Sequence, residues 1–116
     1  MSDLARKKCV PCEGGVRPLA AEDAERLLPQ VPGWSLVGGS PPRIVRELRF
    51  RDFREALAFV NRVGELAEGD GHHPDILIHS WNRVRLELST HAIRGLHEND
   101  FILAAKVNGL EGAGAV

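Results

Sequence analysis

Residues 83–90 read "RVRLELST", and this short run decides the fold. Val84, Leu86 and Leu88 point to one side and Arg83, Arg85 and Glu87 to the other, the period of a strand with one buried face. Just upstream lies "DILIHSW" (75–81), separated from it by the turn-former Asn82. Two such runs around a turn residue predict an antiparallel hairpin.

Further upstream a similar pair occurs. "WSLVG" (34–38) and "RIVRELRF" (43–50) flank the breakers "GSPP" (39–42) and predict another hairpin. Ile44, Leu48 and Phe50 share one face of the longer strand, and Arg46 sits among them. Between the hairpins stands "RDFREALAFVNRVGELAEG" (51–69), the most regular helical pattern in the chain. Phe53, Ala56, Leu57, Val60, Val63 and Ala67 form a stripe at helical spacing. Asp52 is a natural N-cap with Glu55 in capping-box position, and Gly69 and Gly71 should stop the helix. A first helix is expected over about 20–30, with acids in its first turn and Pro32-Gly33 beyond its end. A last helix is expected over about 98–109, "ENDFILAAKVNGL".

The order α-β-β-α-β-β-α, with hairpins rather than crossovers, predicts an α+β two-layer sandwich: a four-stranded antiparallel sheet with three helices on one face. The other face must then be polar or covered by a partner chain. Residues 1–18 are expected to form a flexible tail, 19–110 the single domain, and 111–116 a frayed end.

The chain has 116 residues, a single-domain length, with 15 basic and 16 acidic side chains. That balance provides no basic footprint for nucleic acid, nor one for a membrane surface. No apolar run approaches the ~20 residues of a membrane span. The N-terminal charges lack the apolar core of a secretory signal, so the cytosol is the expected compartment. The two cysteines, in "CVPC" (9–12), make no disulfide framework. Two thiols fall short of a zinc set and no thioredoxin-like context surrounds them, leaving a tail outside the catalytic unit as the favoured reading.

All five histidines fall between positions 72 and 97. As metal ligands they lack a spacing with a mechanism, and the adjacent His72 and His73 point to opposite sides of an extended chain. As proton-transfer groups they suit chemistry near neutral pH, with no serine or cysteine nucleophile motif beside them. Taken singly, His-His-Pro could equally be a turn in which Pro74 sets the start of a strand.

Together, Glu68, His72-His73-Pro74, Trp81, His91 and Asp100 resemble the signature of the pterin-4a-carbinolamine dehydratase family, some of whose members are dimerisation cofactors of a homeodomain transcription factor. "PGW" (32–34), the 53–68 helix and "STHAIRGL" (89–96) are similar to the family too, so the likeness spans about 19–110. It implies removal of water from a 4a-hydroxytetrahydropterin to give a quinonoid dihydropterin, in tetrahydropterin recycling. Two histidines could carry both proton transfers with neither metal nor cofactor. His72 and His91 are the expected acid/base pair, His73 the residue that holds the pterin, and Trp81 an apolar wall. Glu68 either sets a histidine tautomer, binds the substrate or stays solvated. Pro74 belongs to the same substrate segment. Asp100 either serves the dipole of the last helix or orients His91. His97 stands where the family commonly has Ser or Thr, which predicts a helix start weaker by ~1 kcal/mol. The resemblance also implies a homodimer or homotetramer, and the apolar last helix is a candidate interface. The alternative on the same fold is a non-catalytic protein-binding module.

Overall fold

The computed structural model describes residues 4–9, 17–39 and 41–110. In order, α1 (Ala21–Leu27), β1 (Ser35–Val37), β2 (Arg43–Arg49), α2 (Phe53–Asp70), β3 (Asp75–His79), β4 (Arg83–Leu88) and α3 (Glu98–Asn108) form the main elements. The sheet is antiparallel throughout, in the order β1-β2-β4-β3. Both expected hairpins are present. Pairing of Ile44 with Leu88 and Leu48 with Val84 puts the alternating apolar set of β4 on the face that packs beneath the helices. The α+β two-layer reading holds.

Three local differences have physical reasons. In α2 the buried positions are Ala56, Phe59, Val63 and Ala67, whereas Phe53 and Leu57 are exposed. The expected stripe was therefore centred too far round the helix. Phe59, absent from it, meets Phe50 with ring centroids 5.1 Å apart. The helix also runs through Gly69 and ends at Gly71, whose φ of 67° is the left-handed conformation of a helix stop. Asp52 caps it by accepting from Glu55 N–H at 2.8 Å, and Glu55 accepts from Arg51 N–H rather than completing a box with Asp52. Arg46 lies on the helix-covered side, where its guanidinium and the Trp34 indole N–H share the Asn108 Oδ1 acceptor on α3. A charged residue fits that face because a partner meets it there.

Residues 4–9 are not tail-like. Leu4–Arg6 form a 3-10 turn packed on α3, Leu4 is 3% exposed, and Lys7 pairs with Glu98 at 2.9 Å. Cys9 is buried as well, with its thiol 3.6 Å from the Asn99 carbonyl. Cys12 and residues 111–116 lie outside the described residues. Helix α3 is buried from Asn99 to Ala105 and at Val107. The N-terminal turn packs on α3, so much of the apolar surface of this helix is covered within its own chain. Asp70 on α2 and Lys106 on α3 add a tie at 2.6 Å, both largely buried.

Candidate active site

Three segments meet at the end of the sheet where β3 starts and β4 stops. The first is the turn after α2, which carries His72, His73 and Pro74. The second is the loop after β4, a 3-10 turn at His91–Ile93. This loop is closed by Thr90 N–H to Gly95 carbonyl at 2.8 Å and Gly95 N–H to Thr90 carbonyl at 3.3 Å. Gly95 is required because a Cβ there would come within 2.7 Å of Pro18. The third segment is the start of α3.

Beside the first two segments and the start of β2 opens a hollow of about 260 Å³, lined by Pro41, Arg43, His73, Asp75, Glu87, Ser89 and His91. His73 and His91 thus face one space. His73 Nε2 also meets Glu68 Oε1 at 2.8 Å, with both side chains exposed. A carboxylate only accepts, so Nε2 is the donor in this contact and, in a neutral His73, Nδ1 is the free ring nitrogen.

His72 turns the other way. Its ring is 11% exposed, and Nε2 lies 2.6 Å from Oδ1 of Asp100, which is 0% exposed. The second oxygen, Oδ2, accepts from the Thr90 hydroxyl at 2.9 Å and from His97 N–H at 3.0 Å. Both oxygens of this buried carboxylate are therefore hydrogen-bonded, as burial demands. His97 replaces the usual hydroxyl cap effectively: its Nδ1 accepts from Asn99 N–H at 3.0 Å while Asp100 reaches back to His97 N–H. The cap is thus present in the structure, with an imidazole nitrogen in place of the hydroxyl acceptor.

Trp81 stands apart from this hollow within one chain. It occupies the β3–β4 turn, 61% exposed, with Ser80 and Trp81 both at positive φ (50° and 56°). The length of β3, roughly 15 Å, separates that turn from the histidine segment. His79 lies at the same far end and contacts the Ser80 hydroxyl at 3.2 Å.

Besides the two histidines, Arg43, Asp75, Glu87 and Ser89 line the hollow, and none of them is among the expected site residues. Arg43 Nε and Arg85 Nε each approach one oxygen of Glu87 at 2.9 Å. Asp75 is the direct cross-strand neighbour of Glu87. Like charges placed opposite each other destabilise a sheet, so the two arginines offset the repulsion that this pairing creates. The signal was available in principle, as alternating charges on the outward face of β4, but the strand partners were not.

The fold and this hollow define a class: a small α+β domain that presents imidazoles from two distant segments around one open-sheet cavity. Comparison with known proteins narrows it. Residues 17–110 match the family described as Pterin 4 alpha carbinolamine dehydratase. A Rubrobacter xylanophilus protein named as a candidate pterin-4-alpha-carbinolamine dehydratase is 57% identical over 110 residues, covering 95% of this chain and all (100%) of that one. The Arabidopsis thaliana mitochondrial pterin-4-alpha-carbinolamine dehydratase 2 is 45% identical over 113 residues, 96% of this chain and 60% of the relative. Among solved structures, a Brucella melitensis transcriptional coactivator/pterin dehydratase superposes with a TM-score of 0.74 at 32% identity, over 80% of this chain and 97% of that one. A pterin dehydratase-like RuBisCO assembly factor of the alpha-carboxysome superposes at 0.59 with 25% identity, over 72% and 95%. This chain belongs to the pterin-4-alpha-carbinolamine dehydratase family.

Proposed function

We propose that this protein dehydrates a 4a-hydroxytetrahydropterin to the quinonoid dihydropterin, in tetrahydropterin recycling, by proton transfer between substrate and histidines. The observation that carries the reading is the shared hollow of His73 and His91. Hydroxide is a poor leaving group, so one imidazolium protonates the 4a oxygen as the C–O bond breaks. A neutral imidazole takes the proton from the ring nitrogen as the new double bond forms. One proton is delivered and one removed, and water leaves. Groups that titrate near neutral pH suit both roles. His73 and His91 are the proposed pair, with His72 acting from behind rather than in the hollow.

Arg43 and Asp75 supply what the flat end of a pterin needs. That edge presents a carbonyl acceptor beside N–H and amino donors. A guanidinium matches the first and a carboxylate the second. Pro74, between His73 and Asp75, holds both at the start of β3. Trp81 is then left for a contact outside the hollow. The edge strand β3, with Ile76, Leu77 and the turn residue Trp81 exposed, is the candidate surface for a homo-oligomer. No helix among the described residues is long and apolar enough to cross a membrane. A free buried thiol at Cys9 suits the reducing cytosol.

The test is decay of a synthetic 4a-hydroxypterin with and without chelator. Chelator-insensitive acceleration is expected, and His91→Ala and His73→Ala should each lower it on the order of 10²-fold while the fold persists. Wild-type turnover in either variant would remove that histidine from the pair. No acceleration by the wild-type chain would leave the second reading, a protein-assembly module, which the likeness to the RuBisCO assembly factor favours.

A further inference from the structure

We propose that Asp100 is a brace that sets the separation of His73 and His91. The inference rests on the reading of those two as the reacting pair. The two groups bonded to this one carboxylate, apart from its own helix cap, are Thr90 and His72. Each immediately precedes a histidine of the hollow: Thr90 before His91, His72 before His73. Successive side chains diverge across an extended residue, and Thr90, just before the 3-10 turn that begins at His91, is extended (φ −107°, ψ 103°). An inward tether at one position therefore aims the next residue outward. The same carboxylate tethers both segments, so the distance between the outward imidazoles follows from two hydrogen bonds.

The brace is stiff. Asp100 is fully buried (0% exposed), so water does not compete for its oxygens. His97 N–H at 3.0 Å and the Thr90 hydroxyl at 2.9 Å pin Oδ2, which fixes the plane of the carboxylate and the direction of Oδ1 toward His72. Thr90 is itself held by its paired backbone bonds to Gly95. As a carboxylate Asp100 only accepts, so Nε2 of His72 carries the proton in that bond. Asp100, Thr90 and His72 are positioning residues. None of them lines the hollow.

A plain helix cap would need only the His97 contact, and Thr90→Val separates the two roles. The valine keeps the shape of the side chain and leaves the cap intact while removing the hydroxyl tether. Expected is a fall in kcat of roughly 10- to 100-fold, the scale for misplacing a reacting group by about an ångström. KM and both limbs of the pH profile should stay near wild type. Thr90→Ser, which retains the hydroxyl, should restore kcat. Long-range 1H–15N spectra of the imidazoles should show His73 and His91 shifted in the valine variant and returned in the serine variant. Asp100→Asn is the second probe. Its amide can still bridge Thr90 and His72, so it should keep more activity than Thr90→Val.

Wild-type kcat and unshifted imidazole signals in Thr90→Val would overturn the brace. So would failure of serine to restore them, or a displaced pH limb, which would put Thr90 and His72 in the proton path itself. An Asp100→Asn loss exceeding that of Thr90→Val would also count against it. The spectra need no turnover. If the wild-type chain does not dehydrate pterins, they still decide the brace, while the functional reading fails separately.

Discussion

Leu4→Ala tests whether the N-terminal turn belongs to the folded unit. Leu4 is 3% exposed and joins the same cluster as Phe101 and Leu103 of α3. Truncation removes three carbons from that environment, about 2.4 kcal/mol at about 0.8 kcal/mol per buried group. A residual cavity would add to this, toward the ~5 kcal/mol upper range for Leu→Ala. Release of the turn limits the rise, since a terminal segment can detach without unfolding the sheet. A loss of about 2–3 kcal/mol is therefore expected, from a total that for a domain is typically about 5–15 kcal/mol. Near Tm this corresponds to a fall of roughly 10 °C for a chain of this size. Urea and thermal unfolding can both be followed through Trp34, which is buried against Asn108. Lys7→Ala is the control. Its exposed pair with Glu98 should contribute only ~0–1 kcal/mol. A Leu4→Ala change below about 0.5 kcal/mol, the range of ordinary surface substitutions, would refute the packing and return residues 4–9 to a loose tail.

Cys9 should alkylate slowly at neutral pH in the native protein and rapidly once unfolded. Burial, assisted by the nearby Asp70 carboxylate, raises its thiol from an ordinary value of 9.0 to about 12, and the thiolate is the reactive form. The same shift has a stability consequence. Between pH 9 and about 12 the unfolded chain has released this proton and the folded one has not, so stability contributed here is full below pH 9 and declines as pH rises through that window. Native alkylation as fast as that of the unfolded chain, or a Cys9→Ala variant with an unchanged alkaline decline, would contradict it. His97→Ala should destabilise by ~1 kcal/mol through loss of the acceptor for Asn99 N–H. His97→Ser should recover that loss in chemical denaturation, and an alanine variant as stable as wild type would show that the imidazole does not cap.

Much of this protein is legible in order along the chain. Alternation in 83–90 and 43–50 specified strands and their buried sides, because side-chain direction in a strand depends only on the next residue. The cap at Asp52 and the stop at Gly71 were local in the same sense. The histidine segment could be recognised from spacing, since each residue type occupies a fixed position relative to the turn. What is absent from such readings is any quantity that depends on two distant segments meeting. The centre of the α2 stripe moved to Phe59 because Phe50 lies opposite it. Arg46 proved compatible with the buried side because Asn108, on another helix, accepts from it.

The site divides along the same line. That His72 and His73 diverge follows from backbone geometry alone. Which of them faces His91 depended on Asp100, 28 residues beyond His72, drawing one imidazole inward. From its sequence the apolar last helix is a candidate interface. Only the folded chain showed that Leu4, nearly a hundred residues earlier, covers it. Local rules act through covalent neighbours and are written in the order of residues. The hollow, the brace and the cover on α3 arise from contacts across the chain, whose partners are chosen when the helices dock on the sheet.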